Sequence, residues 1–147
     1  MTKTELKEAL EKYTMESKRI QLLSSASLFK ETTAEQEARI KRLLKPENYL
    51  EFFEYYFGVN SLLALADAPC AKFHLTSYLE LFKNPLIKQQ RRWFRGAAKS
   101  IHTNVGNLCH LKENNEVNFG LIIGRTLDAG KLLLSDVQMH LESNERY

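Results

Sequence analysis

Nowhere in its 147 residues does this chain approach the run of about 20 apolar residues that a bilayer span requires. Its polar start, Met1-Thr2-Lys3-Thr4-Glu5, has none of the apolar core of a signal peptide. Cysteine is equally scarce. Cys70 and Cys109 lie far apart with no companion pair, so their spacing gives neither a zinc motif nor a disulfide framework and suits a reducing, cytosolic setting. Net charge is small, +3 at pH 7, so the molecule as a whole is no polycation. Apolar side chains, by contrast, are plentiful. A hydrophobic content of 44%, with eight Phe and six Tyr, argues for a real core and against disorder. The length fits one ordinary domain with a small appendage.

A local absence is more informative than any of these. Between residues 88 and 112 there is no Asp or Glu, while six basic residues occur: Lys88, Arg91, Arg92, Arg95, Lys99 and Lys112. At the centre of the segment stands Arg95-Gly96-Ala97-Ala98-Lys99-Ser100. Residues 87–94 read as a short strand, and residues 101–111 as a helix. A strand, a tight small-residue turn and a helix opening on Lys-Ser is the layout of a phosphate-binding loop. Small residues let backbone N–H groups curl around phosphate oxygens, a lysine neutralises β/γ charge, and a serine hydroxyl can ligate Mg²⁺. The match is partial, since Ala98 stands where the full pattern has a glycine before the lysine. A solvated basic edge is the plainer alternative. Six like charges around the chain's one Gly-x-x-Lys-Ser favour an anion site.

The first third of the chain is helical in pattern. Thr4 can cap a helix carrying Leu6, Leu10, Tyr13, Ser17 and Ile20 on one face, expected to fray at residues 24–27. Thr32 and Glu35 form a capping box for a second helix, which Pro46 stops. Pro46 then opens a third, ending at Gly58, in which residues 49–57 are apolar on nearly every side. Such density reads as core, or else as a surface for a partner or stacked bases. Residues 73–82 read as a further helix, and His74 within it as a satisfied, half-buried histidine rather than a ligand. Phe119-Gly120-Leu121-Ile122-Ile123-Gly124 is the clearest strand candidate, continuous enough to suggest burial on both faces. Thr126 or Asp128 then caps a last helix. The fold class read from this pattern is α/β: helices over residues 1–69, then the β-α-β-α opening of a three-layer domain over residues 70–147.

With these parts in place, residues from about 70 onward resemble the start of the ATPase domain of tailed-phage terminase large subunits. Arg95-Gly96-Ala97-Ala98-Lys99-Ser100 is similar to the deviant phosphate loop of one terminase branch. Leu121-Ile122-Ile123-Gly124-Arg125-Thr126-Leu127-Asp128-Ala129 resembles the next strand and its turn into a helix. Leu141-Glu142-Ser143-Asn144-Glu145-Arg146-Tyr147 resembles the motif closing that helix, and Phe73-His74 a pair that often precedes the core. The resemblance implies a P-loop NTPase-type fold with ATP and Mg²⁺ as cofactors. Lys99 would hold the β- and γ-phosphates, Ser100 would ligate the metal, and the N–H groups of Gly96, Ala97, Ala98 and Lys99 would cradle oxygens. Arg95 would be catalytic, stabilising charge on the transferring phosphate. It also implies double-stranded DNA, a capsid portal and a small terminase subunit as partners, in the cytoplasm of a bacterial host.

The departures from that family are large. No apolar strand ending in Asp and followed by a catalytic Glu occurs after Thr126, and no acidic nuclease cluster is present. The expectation is therefore an N-terminal piece of a packaging motor that binds nucleotide without hydrolysing it alone. Two readings of other classes stand beside it: a non-catalytic module contacting nucleic-acid phosphates, and a helical protein-interaction module whose phosphate loop is accidental.

Overall fold

The computed structural model describes residues 3–28, 31–61, 64–84, 86–121 and 123–143. Its elements are α1 (Lys3–Leu28), α2 (Thr33–Leu43), a 3₁₀ turn (Pro46–Asn48), α3 (Tyr49–Tyr56), α4 (Lys72–Lys83), α5 (Lys99–Ile101), a π-helical segment (His102–Gly106), α6 (Asn107–Glu113) and α7 (Leu127–Ser143). Among the described residues there is no strand and no sheet. The α/β, P-loop-type reading is thereby overturned.

The helices start and stop for local reasons. At α2 the Thr32 hydroxyl accepts from the Glu35 N–H, and the Glu35 carboxylate accepts from the Thr32 N–H at 2.8 Å, a reciprocal capping box. Pro46 occupies the first turn of the 3₁₀ segment, where its missing N–H costs nothing. The Thr126 hydroxyl accepts from Ala129 N–H at 3.2 Å and so caps α7. One end differs from expectation. The backbone of α1 begins at Lys3, so Thr4 lies inside it, and the helix continues through the serines at 24, 25 and 27 to Leu28.

The core forms where α3 meets α4 and the continuous helical stretch 99–113. Tyr49, Phe52, Phe53, Tyr56 and Phe57 are all buried, which decides for core over partner surface in the run 49–57. Tyr49 stacks on Tyr78 of α4 with centroids 4.1 Å apart, and Phe53 stacks on His102 at 3.7 Å. Gly106 permits this approach, because a Cβ there would lie 2.5 Å from Phe53 Cδ2. The π-helical segment widens the inward face, so that His102, Val105, Gly106, Asn107, Cys109 and His110 are all buried. α7 packs against the π-helical segment and α6, adds Val137 to the same core, and lies along α1. Tyr13 Oη donates to Glu142 Oε2 at 2.9 Å, and the Ser17 and Ser143 hydroxyls meet at 2.6 Å.

The two expected strands fail for different reasons. Over 87–94 the exposure does alternate residue by residue, with Ile87, Gln89, Arg91 and Trp93 turned inward. The side chains have the period of a strand, but no strand among the described residues pairs with the segment. Side-chain bonds hold it instead, Gln89 Nε2 donating to Ser77 O at 3.2 Å and Arg91 to Thr103 Oγ1 at 3.1 Å. Residues 119–121, 123 and 124 are irregular, and Phe119, Leu121 and Ile123 are 84, 74 and 81% exposed. A continuous apolar run acquires strand structure only when a neighbour supplies hydrogen bonds and cover. Ile122 lies outside the described residues, as do 144–147 of the motif that closes α7.

Candidate functional site

The Arg95–Ser100 stretch is a loop that turns sharply into a helix. Gly96 has φ +86°, a left-handed conformation suited to glycine, and Ala98 adopts φ 48°, ψ 28° at the N-cap of α5. No side chain caps this helix start. The first helical bond runs from His102 N–H to Ala98 O at 2.9 Å, so the first-turn N–H groups at 99–101 have no carbonyl of their own helix to meet.

Of the residues expected to hold phosphate, Lys99 and Ser100 are exposed and line a cleft of about 530 Å³. Arg91, Thr103, Asn104 and Asn107 add to its polar lining, and Leu81, Ile87, Leu108, Leu121, Ile123 and Leu133 supply its apolar lining. No carboxylate belongs to its described lining. The other loop residues part company with it. Arg95 and Gly96 are exposed away from the lining, and Ala97 is buried, with its carbonyl accepting from His74 Nε2 at 3.0 Å. The Ala97 N–H donates to Phe94 O at 3.3 Å. A cradle made from every N–H between 96 and 99 is therefore not what the loop presents, and Arg95 is not placed at the cleft.

Arg91, which lines the cleft, is held by its neighbours. It donates to Gln89 Oε1 at 2.7 Å and lies over the Trp93 ring at 5.4 Å. A guanidinium only donates, so the Asn107 carboxamide must face it with oxygen; that contact is 2.7 Å, and the Asn107 amide then donates to Tyr49 Oη, also at 2.7 Å. Burial pulls the Arg91 pKa down from its usual value, offset by Tyr49 and Glu80.

Behind the loop lies a group that sequence reasoning misses. Cys70, immediately before α4, His74 in its first turn and His102 in the π-helical segment bring their donor atoms within 4.8 Å of one another. In the sequence His74 reads as a lone core histidine and Cys70 as a cysteine without companions. The Cys70-x-x-x-His74 spacing is the available signal, but the third member is 28 positions further on, and only the fold supplies it. His102 Nε2 is 3.6 Å from Cys70 Sγ, and its Nδ1 is 2.8 Å from Tyr49 Oη. His74 Nδ1 accepts from Ala71 N–H at 2.9 Å.

A thiol beside an imidazole invites comparison with a nucleophilic pair, and the electrostatics argue against one. Burial, a hydrogen bond to Glu54 and the charge of Glu54 all push the Cys70 thiol pKa up. Burial, with His74 and Arg91 nearby, pushes His102 down to about 3. The pair rests as thiol and neutral imidazole, not as an activated thiolate–imidazolium pair.

The chain matches no protein-family model, no curated protein and no solved structure. Nothing in those comparisons bears on the terminase resemblance, which stands on the sequence motifs alone. No helix of the described residues is long and apolar enough to cross a membrane.

Proposed function

We propose that this chain binds the phosphates of a nucleotide at Lys99 and Ser100, as part of the ATP-dependent DNA-packaging motor of a tailed phage. The observation that carries the reading is that Lys99, Ser100 and Arg91 line one cleft, with Lys99 at an uncapped helix start. A helix N-terminus and two cations in a cleft with no carboxylate in its described lining favour a polyanion. The apolar part of the lining suits the base and sugar end of such a ligand. The motif order from Phe73-His74 to the Leu141-Glu142 end of α7 supports the motor assignment, and with it ATP, Mg²⁺ at Ser100, and DNA, portal and small-subunit partners in a bacterial cytoplasm.

Titration of the full chain with ATP tests this against Lys99→Ala and Lys88→Ala. Lys88 is exposed in the same basic segment and does not line the cleft. The expected result is a loss of about tenfold or more in affinity for Lys99→Ala and little change for Lys88→Ala. Equal weakening by both would make the site a diffuse basic patch.

A second reading is favoured by one feature. Phe94, 70% exposed, sits between exposed Arg92 and Arg95. A stackable ring between cations contacts nucleic acid as readily as a mononucleotide. Binding of that kind falls steeply with salt and ignores ATP.

A further inference from the structure

We infer that Cys70, His74 and His102 form a binding site for a thiophilic divalent metal of the Zn²⁺ class. The case begins with spacing. Zinc held tetrahedrally at about 2.3 Å from sulfur and about 2.0 Å from nitrogen separates those two donors by about 3.5 Å. Cys70 Sγ and His102 Nε2 are 3.6 Å apart, and the third donor lies within 4.8 Å of both. A sulfur and two imidazoles select zinc or cobalt over the hard cations magnesium and calcium.

The surroundings match what imidazole ligands need. A metal-bound histidine donates its other ring N–H to an oxygen, which fixes tautomer and orientation. His74 Nε2 already meets Ala97 O at 3.0 Å, which leaves Nδ1 as its ligand atom. His102 Nδ1 already meets Tyr49 Oη at 2.8 Å, which leaves Nε2. The Glu54 carboxylate accepts the Cys70 N–H and pins the cysteine in place.

Loading requires two local changes. The metal replaces the Ala71 N–H at His74 Nδ1. The rings of His74 and His102 now stack face to face with centroids 3.9 Å apart, so one must turn before both lone pairs converge. The Cys70 thiol loses its proton to solvent as the sulfur–metal bond forms. Three protein donors leave a fourth position for water. Cys70 is half-exposed and provides the way in, whereas Cys109 is fully buried and belongs to the core.

The probe is Co²⁺ added to the full, reduced chain. One equivalent is expected to produce the intense near-ultraviolet thiolate-to-cobalt band, which one equivalent of Zn²⁺ then removes. Cys70→Ser should abolish the band and weaken Zn²⁺ binding at least about tenfold, while Cys109→Ser should retain it. Absence of the band, or a band surviving Cys70→Ser, overturns the site. A measurement on the unaltered chain guards against a variant that fails to fold. Alkylation of Cys70 should slow several-fold with Zn²⁺ and recover with a chelator; a rate indifferent to Zn²⁺ also overturns it. None of these readouts involves nucleotide, so the result is independent of the Lys99 titration.

Discussion

Two apolar runs in this chain look alike on paper and end in opposite surroundings. Residues 49–57 supply five buried side chains to the core, whereas Phe119, Leu121 and Ile123 stand largely in solvent. Apolar content alone does not separate them. What separates them is the availability of partners for both the apolar bodies and the polar tips. Tyr49 carries a hydroxyl that meets His102, and its ring finds Tyr78; Phe53 finds His102. The run at 119–124 contains two glycines and no polar handle, and has no strand beside it among the described residues, so its burial would have to come from elsewhere.

The sharpest way to break this contrast is to truncate one ring on each side of it. Phe53 is fully buried and stacked on His102, so Phe53→Ala should cost about 3–5 kcal/mol through lost transfer energy and the cavity left behind. Chemical denaturation of the full chain measures it. A loss below about 1 kcal/mol would mean that α3 is not the centre of the core.

That contrast also marks how much of the molecule is legible in the sequence. The capping box at Thr32, the stop at Pro46, the helix over 73–82 and the cap at Thr126 are legible, because each is decided by residues within one turn. The strand expected at 87–94 does not form, since a hydrogen-bonded neighbour is a property of distant sequence. Among the site residues, Lys99 and Ser100 lie together at the cleft as their adjacency suggests. Arg95 and Ala97 do not join them, because the left-handed turn at Gly96 and the His74–Ala97 bond direct them elsewhere. The Cys70–His74–His102 group is invisible for a third reason: His102 reaches it only through the π-helical segment, which no local pattern announces.

A smaller effect should separate the buried region from the exposed one by pH. All four histidines of the chain are buried. Burial pushes His102 to about 3, and His110 and His140 to about 4. His110 is neutral by its bonds too, its Nε2 donating to Leu43 O at 3.1 Å while Nδ1 accepts from Tyr78 Oη. An unfolded chain protonates these rings near pH 6.5, so it binds more protons than the folded one between about pH 6.5 and 4. Stability is therefore full above pH 6.5 and falls as pH drops through that window. Asp136, whose carboxyl burial pushes up, acts in the opposite sense nearer its own range. Melting temperature followed from pH 7 to 4.5 should show uptake of about two to three protons on unfolding at the acid end. A flat profile would mean that the histidines are hydrated in the folded state.

The smallest expected effect is on stability at the exposed run, and it discriminates best between idle exposure and a binding wall. Leu121 lines the same cleft as Lys99, while Phe119, comparably exposed, does not. Neither side chain is buried in the folded chain, so Phe119→Ser and Leu121→Ser should each move stability by no more than about 0.5 kcal/mol. Their effects on ATP affinity should differ. A ligand seated in the cleft covers Leu121 and leaves Phe119 alone. Loss of that apolar contact amounts to about 1 kcal/mol, a roughly fivefold weakening, for Leu121→Ser only. If both variants bind as the unaltered chain does, the apolar lining takes no part and the phosphates alone are held. If both weaken binding equally, the run acts as one surface, and its exposure in the folded chain is the state from which ligand binding must reorder it.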